Sequence, residues 1–126
     1  MMIKGVPFVV VGLSTDQTET FRRIDELKSR SYLYGLGLGC YEGNEETVAL
    51  IWNSDDIEED IKELAIEWDE SSILAVDANR EAYLIDCELV YSDKPAIKRI
   101  GQWKRVKSIE NEPAWTHYEG NYYVAK

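Results

Sequence analysis

The sequence has few cysteines and histidines, which narrows the chemistry open to it. Its 126 residues include two cysteines and one histidine, too few for a disulfide framework or a zinc centre. The strand-like positions of Cys40 and Cys87 predict buried thiols in a reducing compartment. His117 has no cysteine or histidine at metal-ligand spacing, so a surface histidine is expected and a Ser-His-Asp triad is poorly supported. We expect no metal and no cofactor.

Positive charge is also scarce. The 14 Lys and Arg residues are outnumbered by 24 Asp and Glu residues, and the formal net charge is -10. This balance argues against nucleic acid or an anionic membrane as a partner and favours a cationic or neutral one. A plainer explanation of the same balance is that many soluble cytosolic proteins are acidic.

Apolar runs are short. The first, Val6 to Leu13 in "MMIKGVPFVVVGLS", follows a single lysine and predicts a central strand that is buried on both faces, not a signal peptide. We therefore expect a cytoplasmic protein. No linker or repeat divides the chain, so one domain is expected over 1–126, with a core at about 3–91 and a β-rich extension at about 92–126.

The apolar pattern predicts the element order βαββαβ, followed by a fifth strand. Asp16, with Glu19 three residues later, has the character of a helix N-cap, and the helix is expected to end near Arg30. The other predicted elements are strand two at 32–41, strand three at 47–52, a helix capped by Ser54 or Asp55, strand four at 73–76 and strand five at 81–91. Apolar residues in that second helix recur at helical spacing and form one stripe, at Ile57, Ile61, Leu64, Ala65 and Trp68.

This order is typical of an α+β fold of the ferredoxin-like, split-βαβ kind, an antiparallel sheet with both helices on one face. The β-rich C-terminal extension is expected to form strands at 97–106 and 122–125, and it carries five aromatic residues, Trp103, Trp115, Tyr118, Tyr122 and Tyr123. Since both helices lie on one face, a hairpin of the extension or a neighbouring subunit has to cover the other face.

Glycine alternates with leucine in "YGLGLG" at 34–39. Glycine inside a strand costs stability and marks the close approach of another backbone or a ligand. The run lacks G-x-G-x-x-G spacing and leads into a hairpin, so no phosphate loop is expected. We expect the leucine face to belong to the core. The bare glycine face is left for close packing, for a flat ligand, or for both at a subunit boundary.

Several short motifs, taken in order, resemble the bacteriophage-encoded enzymes that degrade S-adenosylmethionine, long called hydrolases and now read as lyases. They are "LYG" at 33–35, "GCY" at 39–41, an acidic pair before a "TV" strand start at 45–48, a helix ending in "EW" at 67–68, a strand and hairpin at 73–85, and the ending "YYVAK". The resemblance extends from about Leu33 to the C-terminus.

The resemblance implies a homotrimer in the cytoplasm of an infected bacterial host, with the substrate in clefts between subunits and neither metal nor cofactor. The implied products are 5'-methylthioadenosine and L-homoserine lactone, so that the host loses its methyl donor. In this chemistry the sulfonium leaves as a neutral thioether while the substrate's own carboxylate attacks the γ-carbon. The enzyme has mainly to fold the methionyl chain and exclude water.

The resemblance also implies site residues. The family's active-site glutamate corresponds to Glu45, or to Glu46 if the short loop "EGN" is counted one residue differently. Its tyrosine corresponds to Tyr34, with Tyr41 as the second candidate. Both glutamates begin strand three directly across from strand two, where a side chain can point into a cleft. The predicted catalytic residues are thus Glu45, Tyr34 and Glu46, and the predicted substrate-binding residues are Tyr41, Gly35, Gly37 and Glu81.

Two other functions stay open at the level of sequence. One is a non-catalytic, trimeric ferredoxin-like module that binds or senses a small ligand. The other is an acidic phage inhibitor that binds a host enzyme through the aromatic extension. Turnover of S-adenosylmethionine would favour the lyase, binding without products the module, and neither result the inhibitor.

Overall fold

A computed structural model describes residues 5–52, 57–87 and 97–126 of the chain. The described residues form eight strands and two helices. The strands are β1 (Phe8–Ser14), β2 (Tyr34–Tyr41), β3 (Asn44–Ile51), β4 (Ser72–Val76), β5 (Glu81–Asp86), β6 (Ile97–Val106), β7 (Ala114–Tyr118) and β8 (Asn121–Ala125). The helices are α1 (Gln17–Ser29) and α2 (Ile57–Glu67). The predicted caps Ser54 and Asp55 and the end of predicted strand five, 88–91, lie outside the described residues.

The eight strands close into one antiparallel barrel in the order β1-β3-β2-β7-β8-β6-β5-β4. The prediction of an open ferredoxin-like sheet is therefore wrong, although the order of its elements is correct. Without the extension, the five strands β1 to β5 would form a sheet with β2 and β5 as its edges, and an unpaired edge readily adds another strand. Here β7 pairs with β2, β6 pairs with β5, and β8 joins β6 to β7. The extension thus completes the sheet and does not cover its face.

Two hydrophobic clusters lie on opposite sides of the barrel wall. Side chains alternate along β1, so Val9, Val11 and Leu13 face the helices while Phe8 and Val10 face the barrel interior. All five side chains are buried. The prediction that the first strand is central and buried on both faces is confirmed. The helices pack against β1, and α2 also packs against β4.

Strand β2 is oriented opposite to expectation. Leu36 and Leu38 lie on the outer face and are 46% and 37% exposed, so the assignment of the leucines to the core is wrong. The glycines face the interior, where they leave room for β7. A Cβ atom on Gly37 would lie 2.5 Å from the carbonyl oxygen of His117, and one on Gly35 would clash with the ring of Tyr118. Close packing accounts for these two glycines.

Four aromatic residues fill one end of the barrel. This aromatic plug consists of Phe8, Trp52, Trp103 and Tyr118. The ring centroids of Phe8 and Trp103 lie 5.2 Å apart at 78°, and those of Trp52 and Tyr118 lie 5.9 Å apart. Offset and edge-on contacts of this kind are the favourable arrangements of aromatic rings. The plug anchors the first strand to the C-terminal strands that close the barrel.

One buried cation joins α1 to the barrel and to the turn after α2. The Arg23 guanidinium donates to the carbonyl oxygens of Gly12 at 3.3 Å and Trp68 at 2.6 Å, and to carboxylate oxygens of Glu19 at 2.9 Å and Glu70 at 2.6 Å. It also lies 5.2 Å from the centroid of the Trp68 ring. The side chain is 8% exposed, so these partners replace the water that a charged group would otherwise need.

We predict that Gly37→Ala destabilises the protein by about 1–3 kcal/mol because its methyl group would overlap the β7 backbone, which cannot move alone. The matched control is Leu36→Ala on the same strand, which deletes an exposed side chain and should cost less than about 1 kcal/mol. Urea unfolding followed by tryptophan fluorescence measures both. A larger loss for the leucine variant than for the glycine variant would show that β2 has the opposite orientation.

Arg22 and Arg23 both pair with Glu19, but only the Arg23 side chain is buried. Substituting each in turn therefore compares a buried ion pair with an exposed one. We predict that Arg23→Met lowers the free energy of unfolding by about 3–5 kcal/mol, since it leaves a carboxylate and two buried carbonyl oxygens without their donor. Arg22→Met, at a side chain that is 59% exposed, should leave the unfolding midpoint nearly unchanged. Equal midpoints for the two variants would contradict a central role for Arg23.

Candidate functional site

A cavity of about 680 Å³ that is open to the surface lies in the barrel beyond the aromatic plug. Its wall is largely apolar, with Val10, Val48, Leu74, Ile100 and Trp103 among the lining residues. Small-molecule sites generally have volumes of roughly 300–1,000 Å³ and combine an apolar wall with a few polar groups. The size and lining of the cavity therefore suit a small organic ligand.

Polar residues gather at the end of the cavity opposite the plug. This mouth is formed by Asn44, Glu46, Ser71, Ser72, Asp86 and Lys98. Asn44 and Lys98 are exposed, and so is the neighbouring lining residue Tyr41, so the cavity reaches the surface here. Three different strands bring two carboxyl groups and one ammonium group to the mouth, β3 with Glu46, β5 with Asp86 and β6 with Lys98.

Glu46 is the half-buried carboxyl group of the mouth. It lies opposite Gly39 on the inner face of β3, and its side chain occupies the space over Gly12 on β1. A Cβ atom on Gly12 would lie 2.6 Å from Glu46 Oε1, so a side chain at this position would displace the carboxylate from where it lies. Burial, followed by the negative charge of Glu70, raises the pKa of Glu46 above its usual value, while a hydrogen bond from the Ser14 backbone and the charge of Arg23 oppose the rise.

The end of β1 is irregular beside this carboxylate. The register shifts between Gly12 and Ser14, so that two steps along β1 match one step from Val48 to Thr47 on β3. This is a β-bulge, a feature that re-aims backbone groups and is common next to binding sites. Ser14 has φ 110°, a region that is costly for any residue other than glycine. Strain of this kind persists where surrounding contacts hold it, often at a functional site.

The structure separates four of the predicted site residues, which come from β2 and β3, into two pairs. Glu46 and Tyr41 line the cavity. Glu45 is exposed and pairs with Cys40 on the outer face of the barrel. Tyr34 also faces outward, where it packs against the cluster beneath the helices. Because neighbouring residues of a strand point to opposite faces, the register that favoured Glu45 places its side chain outside the barrel.

The other predicted site residues do not line the cavity. Gly35 and Gly37 face inward, but Tyr118 and the β7 backbone occupy the space next to them. Glu81 lies at the start of β5, where its carboxylate accepts hydrogen bonds from Arg99 and, at 3.2 Å, from Gln102. At the plugged end of the barrel, Glu81 thus has a structural role, because these contacts link β5 to β6.

Sequence reasoning missed Gly12, Asp86 and Lys98. Gly12 carried a usable signal, because an isolated glycine within an apolar strand marks a bulge or a close approach. The other two carried none, since Asp86 and Lys98 come to the same mouth only through the pairing of β5 with β6 and closure of the barrel.

Within 5–52, 57–87 and 97–126, no helix is long and apolar enough to cross a membrane. The same residues contain no group of three or more His, Cys, Asp or Glu side chains that is arranged to hold a metal ion. The chain matches no model of a known protein family and no curated protein.

Proposed function

We propose that the protein binds a small molecule in the barrel cavity, with the apolar body of the ligand inside and a charged group at the mouth. The observation that carries this proposal is the cavity of about 680 Å³ with the half-buried Glu46 carboxyl group in its wall. A carboxylate removed from water is costly unless a hydrogen bond or a counter-charge compensates it. A ligand cation next to Glu46 would supply that counter-charge.

S-adenosylmethionine is the candidate ligand that the sequence resemblance names. It joins a sulfonium and an ammonium group to a flat aromatic base, and the lining offers partners of matching chemistry. Among the described residues that form the mouth, Glu46 and Asp86 carry carboxyl groups and Lys98 carries an ammonium group. Trp103 and Tyr123, which also line the cavity, stack with ring centroids 5.2 Å apart and an interplanar angle of 11°. Aromatic walls favour planar and cationic ligands alike.

The reaction that we propose is lysis of this substrate. The substrate carboxylate attacks the γ-carbon, the bond from the γ-carbon to sulfur breaks, and its electron pair leaves on sulfur as a neutral thioether. The positive and negative charges cancel as the lactone forms, so a dry cavity favours the step. In this scheme Glu46 holds the substrate ammonium and Tyr41 packs against the methionyl chain at the mouth. No group of the protein has to act as a nucleophile.

A non-catalytic ligand-binding protein is the second candidate, and the same cavity supports it. The homotrimer with sites between subunits stays a prediction of the resemblance.

Adjacent glutamates provide a matched test of binding, because Glu46 lies in the cavity and Glu45 on the outer face. We predict that Glu46→Gln weakens the binding of S-adenosylmethionine by about tenfold to a hundredfold, the usual worth of a charged hydrogen bond. Glu45→Gln removes the same charge and should change the affinity less than about threefold. Isothermal titration calorimetry measures both dissociation constants.

Equal weakening by the two substitutions would show that the net charge of the chain causes the effect. It would reject Glu46 as the residue that contacts the ligand. A loss confined to Glu45→Gln would return the site to the outer face. Circular dichroism of both variants controls for folding, and absence of binding by the folded wild-type protein would reject S-adenosylmethionine as the ligand.

A second experiment separates lysis from hydrolysis. We predict that the wild-type protein, incubated with S-adenosylmethionine in heavy-oxygen water, releases homoserine lactone first and that this lactone contains no solvent oxygen. A hydrolase needs a general base to activate water and would place solvent oxygen in homoserine directly. Chromatography with mass spectrometry follows both products over time. Labelled homoserine without prior lactone would contradict lysis, and binding without any product would support the non-catalytic alternative.

A further inference from the structure

We propose, resting on the binding site proposed above, that the cavity takes up a cationic ligand in exchange for a proton on Glu46, and that the charge of Glu70, on the other side of the barrel wall, moves this exchange to higher pH. Glu70 lies in the turn between α2 and β4, outside the barrel. Glu70 is thus a positioning residue. It affects the ligand only through the protonation of Glu46 and does not contact the ligand.

The barrel wall between the two carboxyl groups is one backbone thick. On the inner side, Glu46 Oε1 lies 2.6 Å from the position that a Cβ atom of Gly12 would occupy. On the outer side, Arg23 Nη1 donates to the Gly12 carbonyl oxygen at 3.3 Å and to Glu70 Oε1 at 2.6 Å. Because Gly12 has no side chain, an ion pair outside the barrel and a carboxyl group inside it lie close enough to interact.

The charges around Glu46 come from four elements. Arg23 on α1 and Glu70 after α2 lie behind the wall, while Asp86 on β5 and Lys98 on β6 share the cavity mouth. Arg23 pairs with two carboxylates, Glu70 and Glu19, so most of its positive charge is balanced locally. The positive charge of Arg23 therefore offsets only part of the effect of Glu70 on Glu46. The negative charge of Glu70 raises the pKa of Glu46 more than Arg23 lowers it.

The direction of the coupling follows from these charges. A raised pKa keeps Glu46 protonated and neutral to higher pH than an ordinary glutamate. A cation in the cavity stabilises the ionised form, so its binding releases the proton and becomes tighter as the pH rises through the Glu46 titration. Removing the charge of Glu70 lowers the pKa of Glu46 and moves the exchange to lower pH.

Two variants that each remove one negative charge provide the test. Glu70→Gln keeps an oxygen that can accept from Arg23. Glu67→Gln is the control, because Glu67 is 60% exposed and pairs with Arg30 at 3.5 Å. Carbon-13 NMR of the side-chain carboxyl group of Glu46 measures its titration without any ligand. We expect the midpoint to fall by roughly half a pH unit or more in Glu70→Gln and to stay unchanged in Glu67→Gln.

Calorimetry with S-adenosylmethionine in two buffers of different protonation enthalpy then counts the protons released on binding. We expect release of up to one proton near the Glu46 midpoint, and an affinity profile that moves to lower pH in Glu70→Gln but not in Glu67→Gln. Circular dichroism confirms that both variants are folded.

The outcomes distinguish the inference from the proposed function. A Glu46 midpoint that is the same in Glu70→Gln and the wild-type protein overturns the inference, whether or not S-adenosylmethionine binds. Binding without proton release overturns the exchange but leaves the proposed function standing. Absence of binding rejects both S-adenosylmethionine as the ligand and the proposed exchange. In that case, a shifted Glu46 midpoint in Glu70→Gln would still support the coupling across the wall.

Discussion

Closure of the sheet is the constraint on which the rest of the structure depends. A closed barrel has no free edge, but the strands have to approach one another around an interior of limited width. Strand β2 meets this demand with glycines, because the β7 backbone and the ring of Tyr118 occupy the places where side chains at Gly37 and Gly35 would lie. The pairing of β2 with β7 in turn commits the last three strands to the barrel wall. A side chain at these glycines would therefore act on the whole sheet and not only on its own strand.

The same closure creates the candidate site. Large aromatic side chains fill one end of the interior, whereas the inner face near the other end carries small residues, among them Gly12, Gly39 and Ala114. The difference in side-chain size leaves the cavity. It also brings Glu46 and Lys98, from strands far apart in the sequence, to one mouth. In an open sheet of four or five strands these two side chains would have no enclosed space to share.

Local signals in the sequence were sufficient for most of the elements, but they missed β7 and were insufficient for the site. Asp16 accepts a hydrogen bond from the backbone N–H of Glu19 at 2.8 Å, as its N-cap character predicted, and the apolar run of β1 is buried on both faces. Alternation in β2 predicted two different faces but did not determine which one is interior. A shift of one residue exchanges the faces of a strand, and for this reason the choice between Glu45 and Glu46 required the structure. Pairing of β2 with β7 joins residues more than seventy positions apart, and no local pattern encodes it.

Glu46 also links stability to binding. A carboxyl group whose pKa is raised on folding binds its proton more tightly in the folded state, so its contribution to stability is present below the ordinary glutamate value of 4.5 and is lost as the pH rises through the higher folded value. Above that titration the empty barrel contains an ionised group that weakens it. Arg23 limits this cost, because it holds the β1 backbone beside the bulge and supplies opposite charge through the wall. A cationic ligand in the cavity would offset the rest of the cost of the ionised Glu46 carboxylate. Under the proposed function, the barrel would be most stable when the cavity is occupied, which is the relation expected when a site keeps a destabilising group for the sake of binding.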